Sequence, residues 1–250
     1  MNTQSTLQDL RQLHLYGMEN SYYQHLQTNH LGQTTTDEFL AYLVEAEKTD
    51  RNTKRTQRLL KQAHFNLEAH VSEIDYHAQR ELDKNMFIRL TSLDFIRQKE
   101  NIIITGPSGT GKTFLATALG YVACTTGLKC IYGALHRIMA QLTLSKKEER
   151  YLNKIRAIAK MDLLILDDFG LHPIKPEYRQ ILMDIIDDRF NIKSTIICSQ
   201  LPVKAWHELI GEPTVADAIL DRIIHNAHRI ELKGESLRKR KINQLKKSNK

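Results

Sequence analysis

The sequence predicts an α/β fold, a mostly parallel sheet covered by helices on both faces, and three observations carry that expectation. Asn101–Thr126 reads as a short apolar run, a glycine turn and a run with helical periodicity. Leu163–Asp168, LLILDD, is an apolar run ending in two carboxylates, as expected of a buried strand that delivers acids to its carboxyl end. Beyond residue 101, strand-like and helix-like segments alternate, the pattern of parallel strands joined by crossover helices.

At 250 residues with 41% hydrophobic side chains, the chain can bury the core of one large domain, or of one domain and a small companion. It has no run of about eighteen apolar residues, and the start MNTQSTLQDL has no signal-peptide pattern, so a cytoplasmic protein is expected. Cys124, Cys130 and Cys198 lack zinc-type spacing and the eleven histidines lack metal-ligand spacing, so the cysteines read as small core residues. The formal charge of +7 comes from the end of the chain. Ser236–Lys250 carries seven basic residues and no acid, leaving 29 basic against 29 acidic residues over 1–235. Such an arm suits contact with a polyanion such as nucleic acid, although a solvated tail has the same composition.

In chain order, Leu7, Leu10, Leu13, Tyr16, Tyr23 and Leu26 recur at helical spacing, and Gly17 is expected to break the run into two short helices. Thr35 and Glu38 form a capping box ahead of Phe39, Leu40, Leu43 and Val44, which predicts a helix from near Thr36 past Arg58. In its second half Lys48, Arg51, Arg55, Arg58 and Lys61 share one face, with Lys54 beside them. The stripe would either track a phosphate backbone or simply face water. Periodicity is weak from Ala63 to Asp83, which marks the passage from a helical region, 1–70, to a nucleotide domain, 71–235, ahead of the tail 236–250. Ile74 and Tyr76 are placed there to pack on a nucleotide's base. Leu82, Met86, Leu90, Leu93 and Ile96 predict one more helix before the glycine turn.

That turn is GPSGTGKT. Gly106, Gly111, Lys112 and Thr113 have the spacing G-x-x-x-x-G-K-[ST], and Gly106, Pro107, Ser108, Gly109, Thr110, Gly111, Lys112, Thr113 and Phe114 make up the expected phosphate cradle. Glycines let backbone N–H groups turn inward, and the helix starting near Lys112 points its positive end at the anion. Lys112 would meet the β- and γ-phosphates, and the Thr113 hydroxyl would ligate Mg²⁺. In LLILDD, Asp167 would hold the ion, mostly through water, and Asp168 would orient or deprotonate an attacking water.

Strands are expected at Lys129–Tyr132, Asp162–Leu166, Ser194–Cys198 and Arg229–Leu232, and helices at Leu135–Leu142, Glu149–Lys160, Glu177–Phe190, around Trp206 and at Val215–His225. Ser199 and Gln200 would bring polar groups to the same sheet edge, where one of them would sense a γ-phosphate. Arg222, just before the last strand, would either complete a neighbouring subunit's site as an arginine finger or pair with Asp221.

The order of a helical start, GPSGTGKT, LLILDDFG, TIICSQLP, ILDRIIH and GESLR resembles the IstB-like ATP-binding proteins, the AAA+ helpers of an insertion-sequence transposase, over nearly the whole chain. The same core is similar to the DnaC-type helicase loaders. The resemblance implies a P-loop AAA+ domain with a five-stranded parallel sheet in the order 5-1-4-3-2, a small all-α N-terminal domain and no C-terminal lid domain. It implies ATP and Mg²⁺ as cofactors, Arg222 as a finger acting in trans and Arg238 in a sensor-2-like role. It also implies that a helical insert after the second strand, with Arg137, Lys146, Lys147 and Arg150, faces DNA. The activity implied is ATP-dependent assembly of a head-to-tail homo-oligomer, a ring or filament, on double-stranded DNA in the nucleoid, with recruitment or stimulation of a transposase. Asp168 in place of the usual Glu, and Gln200 where Asn is frequent, bear on hydrolysis, which is expected to be slow. A helicase loader is the alternative, and the basic helix and the lack of a zinc-ligand cluster before the core weigh against it. A small-molecule P-loop kinase would need a lid and an acceptor pocket, and the sequence offers neither.

Overall fold

Five short strands, β1 (Asn101–Thr105), β2 (Cys130–Ala134), β3 (Leu163–Phe169), β4 (Ser194–Ser199) and β5 (Ala227–Glu231), pair in parallel in the order β2-β3-β4-β1-β5. This is the expected order, read from the opposite edge. The computed structural model describes residues 3–28, 35–76 and 80–237, and of Lys147 only the backbone. The chain forms two compact units, Met1–Arg58 and Leu59–Lys250.

The strands are apolar at consecutive positions because helices cover both faces. Ile102, Ile104, Leu163, Ile165, Ile196 and Cys198 pack with Leu115 and Leu119 of α6 (Lys112–Thr125). Their alternates Ile103, Leu164, Leu166 and Ile197 pack against the other layer. That layer comprises α7 (Leu135–Lys147), α8 (Tyr151–Ala159), α9 (Pro176–Arg189), α10 (Trp206–Ile210) and α11 (Pro213–Ile224). The three cysteines are buried, as expected. β3 extends three residues beyond the predicted strand, so both carboxylates belong to the strand itself.

The helix predicted over 82–96 is instead two, α4 (Lys84–Leu90) and α5 (Asp94–Arg97), separated by Leu93 at φ 62°. The cause is local hydrogen bonding: the Asp83 carboxylate caps the Asn85 and Met86 N–H groups, while the Thr91 and Ser92 hydroxyls donate back to Ile88 O and Arg89 O.

The N-terminal unit holds α1 (Thr3–Gln12), α2 (Tyr16–Thr28) and most of α3 (Thr36–Ala63). The Thr35–Glu38 capping box is present, with Thr35 N–H donating to Glu38 at 2.9 Å and Glu38 N–H donating to the Thr35 hydroxyl at 3.3 Å. Gly17 does not break the first run. It lies inside α2, where a Cβ would stand 2.5 Å from Ala46 O, so its role is close helix approach, and the chain turns instead at residues 13–15 around His14 at φ 58°. Glu47 of α3 is buried there and accepts from Gly17 N–H at 2.8 Å, Met18 N–H at 3.3 Å and Arg51 Nε at 2.6 Å, so a carboxylate caps α2 from a neighbouring helix. Among the described residues no helix is long and apolar enough to cross a membrane.

Arg189, read from sequence as one more residue at the end of α9, is 2% exposed. Its guanidinium donates to Thr195 Oγ1, to the carbonyls of Ile158 and Met161, and to Ser194 O, tying α8, α9 and β4 together. Burial pushes its pKa down to about 10, so it stays charged at neutral pH. Arg189→Ala would leave several buried carbonyls without a donor. Chemical denaturation should show a loss of about 3 kcal/mol or more, whereas Lys193→Ala, which removes a part-exposed pair with Asp162, should cost no more than about 1 kcal/mol.

Candidate nucleotide-binding site

At the carboxyl end of β1 the chain turns through residues 106–111 and enters α6 at Lys112. Gly106, Gly109 and Gly111 have φ of 145°, 82° and 96°, conformations that side-chain-bearing residues rarely adopt. At Gly106 a Cβ would also lie 2.3 Å from Leu232 O, so the loop lies directly against the residue after β5. Gly106 N–H donates to Ser199 O at 3.2 Å, fastening the loop to the end of β4. The N-terminus of α6 has no side-chain cap, which leaves its first N–H groups to the loop's concave side. The Lys112 ammonium is held at 2.7 and 2.8 Å by the carbonyls of Gly106 and Pro107.

Opposite Lys112, the buried Asp167 carboxylate accepts from the Thr113 hydroxyl at 2.8 Å and the Tyr132 hydroxyl at 2.7 Å through one oxygen. Its other oxygen accepts Asp168 N–H at 2.9 Å. Asn66 Nδ2 donates to the Tyr132 oxygen at 3.0 Å, completing a chain from the start of the second unit to the carboxylate. Burial and the bond to Asp167 push the Tyr132 phenol far above its ordinary pKa, so it remains a donor. The juxtaposed hydroxyl and carboxylate are hard oxygen donors of the kind that suits Mg²⁺, which keeps several waters and needs few protein ligands. Tyr132 and Asn66 were not legible as site residues, since a tyrosine in a short strand and an asparagine in a weakly periodic stretch give no signal in one sequence.

Asp168 stands at the end of the same strand at φ 54° and is partly exposed. Burial, then the neighbouring Asp167, raise its carboxyl pKa, while His136, Lys112 and Arg137 pull it down. Arg137, expected on a DNA-facing insert, therefore lies near the Asp168 carboxylate at the start of α7. Ser199 is fully buried, donating to Phe169 O at 2.6 Å and accepting Leu201 N–H at 3.1 Å, so its hydroxyl is engaged in shaping the loop after β4. Gln200 is exposed beside it.

Arg222 lies at the other end of the sheet. Asn101, the first residue of β1, donates to the Arg222 and Ile223 carbonyls. The Arg222 guanidinium pairs with Asp187 at 2.6 Å, not with Asp221, and lies over the Phe190 ring. In the helical unit, Arg51 pairs with Glu47 and Lys54 with Asp50 at 2.7 Å, which partly neutralises the basic stripe. Arg55 and Arg58 are exposed along the same helix. In the insert, Lys146 lies over the Tyr151 ring at 4.6 Å and Arg150 is exposed at the start of α8. Arg238, the rest of the tail beyond it and the Lys147 side chain lie outside the described residues.

The family model for the IstB-like ATP binding protein matches residues 8–245. The insertion-sequence protein y4pL of Sinorhizobium fredii, named as an ATP-binding protein, is 42% identical over 243 residues, 97% of this chain and 98% of the relative. Among solved structures, DnaI superposes with a TM-score of 0.56 at 20% identity over 70% of this chain and 93% of that one. The replication initiator DnaA bound to AMPPCP and single-stranded DNA gives 0.57 at 19% identity, over 74% of this chain and 57% of that one. At such identities these two structures show a shared fold.

Proposed function

Because the chain belongs to the family of IstB-like ATP-binding proteins, we propose that it is an ATPase whose bound nucleotide gates assembly of a homo-oligomer on double-stranded DNA. Through that assembly it recruits or stimulates a transposase. The observation that carries the reading is the division of the site between the two ends of one strand. The phosphate loop, Asp167 and Asp168 gather at the carboxyl end of the sheet, while Arg222 sits at the amino end of β1, about 13 Å of strand away. A guanidinium there does not reach the chain's own γ-phosphate but can meet that of a head-to-tail neighbour, so the complete site is a property of the oligomer.

Within one chain, the loop N–H groups and the Lys112 ammonium bind the phosphates, and Thr113 and Asp167 would hold Mg²⁺, whose charge offsets that of the phosphates. Tyr132 keeps Asp167 in place. Asp168, raised in pKa by burial, orients or deprotonates the water, and Gln200 is the exposed polar group left to sense the γ-phosphate. DNA contact falls to the exposed basic residues of the helical unit and the insert, Arg51, Lys54, Arg55, Arg58, Lys146 and Arg150. The relatives' association with insertion sequences supports transposition, and the fold shared with DnaI keeps helicase loading as the second reading.

Asp168→Asn should spare ATP binding and lower steady-state phosphate release about 100-fold or more. In the unaltered chain, turnover should fall on acidification through a pKa above the ordinary carboxylate value, because the protonated acid cannot take the water's proton. Unchanged turnover in the variant would remove Asp168 from the chemistry.

A further inference from the structure

Arg80 is 3% exposed, and its position before the loop gives no hint of this in the sequence. Its Nη1 donates to Thr110 O and its Nη2 to Asp75 O, each at 3.0 Å. The guanidinium lies so close to the loop that a Cβ on Gly111 would stand 2.6 Å from Nη1. Arg80 O accepts Lys233 N–H at 3.0 Å, and Leu237 N–H donates to Gly109 O at 2.9 Å, so the segments before β1 and after β5 clasp the outer flank of the loop together.

Two polar atoms in this collar are buried without a hydrogen-bond partner among the described residues, Arg80 Nε and the Tyr76 hydroxyl. The two side chains are neighbours, burial keeps the Tyr76 phenol protonated, and the Lys84 ammonium covers the Tyr76 ring at 5.5 Å. A buried donor without an acceptor is costly, and two side by side at a binding loop point to a ligand that satisfies them. Ile74, expected to share the base contact, is buried in the core cluster against which Tyr76 also packs.

The chemistry of the pair selects the occupant. Arg80 can only donate, and its planar guanidinium also stacks on aromatic rings, while the tyrosine hydroxyl donates or accepts. Phosphates are taken by the inward N–H groups and Lys112. Thr110 O, which Arg80 binds, belongs to the loop itself just before α6, so the pair stands directly beside the phosphate cradle. We propose that Arg80 and Tyr76 form the nucleoside end of the nucleotide site, their free N–H and O–H groups donating to ring-nitrogen or ribose-oxygen acceptors of adenosine. The proposal rests on the ATP reading above.

The test compares Mg-ATP with inorganic tripolyphosphate, which engages the phosphate cradle alone, as competitors of a fluorescent nucleotide on the full chain. Arg80→Lys keeps the charge but loses Nε and the fork, and Tyr76→Phe loses only the hydroxyl. Arg80→Lys should weaken ATP about tenfold and Tyr76→Phe several-fold, with tripolyphosphate unchanged in both. If ATP and tripolyphosphate weaken together, Arg80 merely props the loop and the proposal fails; if neither variant alters ATP affinity, it fails as well. An unaltered chain that binds tripolyphosphate but does not favour ATP over it also overturns the proposal. An unaltered chain that binds neither, and behaves like Lys112→Ala, overturns the proposal together with the nucleotide reading.

Discussion

Replacing Lys112 with alanine should weaken ATP binding at least about a hundredfold, beyond detection in most titrations. Lys112 is 8% exposed and its ammonium lies within hydrogen-bond reach of the Gly106 and Pro107 carbonyls, at the mouth of a loop whose remaining donors are backbone N–H groups. Removing it takes away the cation of the motif, while the phosphates bring several negative charges into a nearly closed site. The effect should be confined to the ligand, because α6 and β1 are secured by apolar packing rather than by this side chain. Calorimetric titration with Mg-ATP, with circular dichroism as a folding control, reads both. Retained affinity would place the nucleotide elsewhere on the molecule.

Arg222→Ala should leave ATP binding by single chains intact, yet lower oligomer-dependent turnover about a thousandfold. The Arg222 side chain is 28% exposed and that of its partner Asp187 50%, and an ion pair this open to water is weak enough for a neighbour's γ-phosphate to take its place. A mixture of Arg222→Ala and Lys112→Ala chains offers interfaces in which a normal phosphate loop faces a normal arginine. Mixing should therefore recover activity that neither variant shows alone. Failure of the mixture, with Arg222→Ala chains already unable to bind ATP, would assign the arginine to its own chain.

How much of this was legible beforehand varies with the kind of signal. Phosphate-loop spacing, the doubled carboxylate and strand alternation are local patterns, and β1, α6 and β3 formed where the residues indicated. Two expectations failed, each for its own physical reason. Gly17 was read as a helix break, but the partner helix decides what that glycine is for; the 82–96 segment was read as one helix, but capping side chains cut it where apolar spacing continued. The groups that shape the site from a distance, Tyr132, Asn66 and Arg80, are brought to it by the fold, and nothing in their immediate sequence marks them. In the basic stripe, spacing shows that Arg51 and Lys54 share a face with other cations but not that each also has a carboxylate within 2.7 Å.

The most direct test of an ATP-gated assembly on DNA is anisotropy of a labelled duplex titrated with the protein at several salt concentrations, with Mg-ATP, with Mg-ADP and without nucleotide. Backbone contacts carry no sequence information and release counterions, so binding should be largely independent of sequence and weaken steeply with salt. Each chain offers few phosphate contacts, so tight binding should need many chains side by side and appear only with ATP. Charge reversal at Arg55 and Arg58 should weaken it and flatten the salt dependence. Equal affinity with ATP, with ADP and without nucleotide would contradict the gate, and normal binding by the charge-reversed chain would contradict the DNA surface.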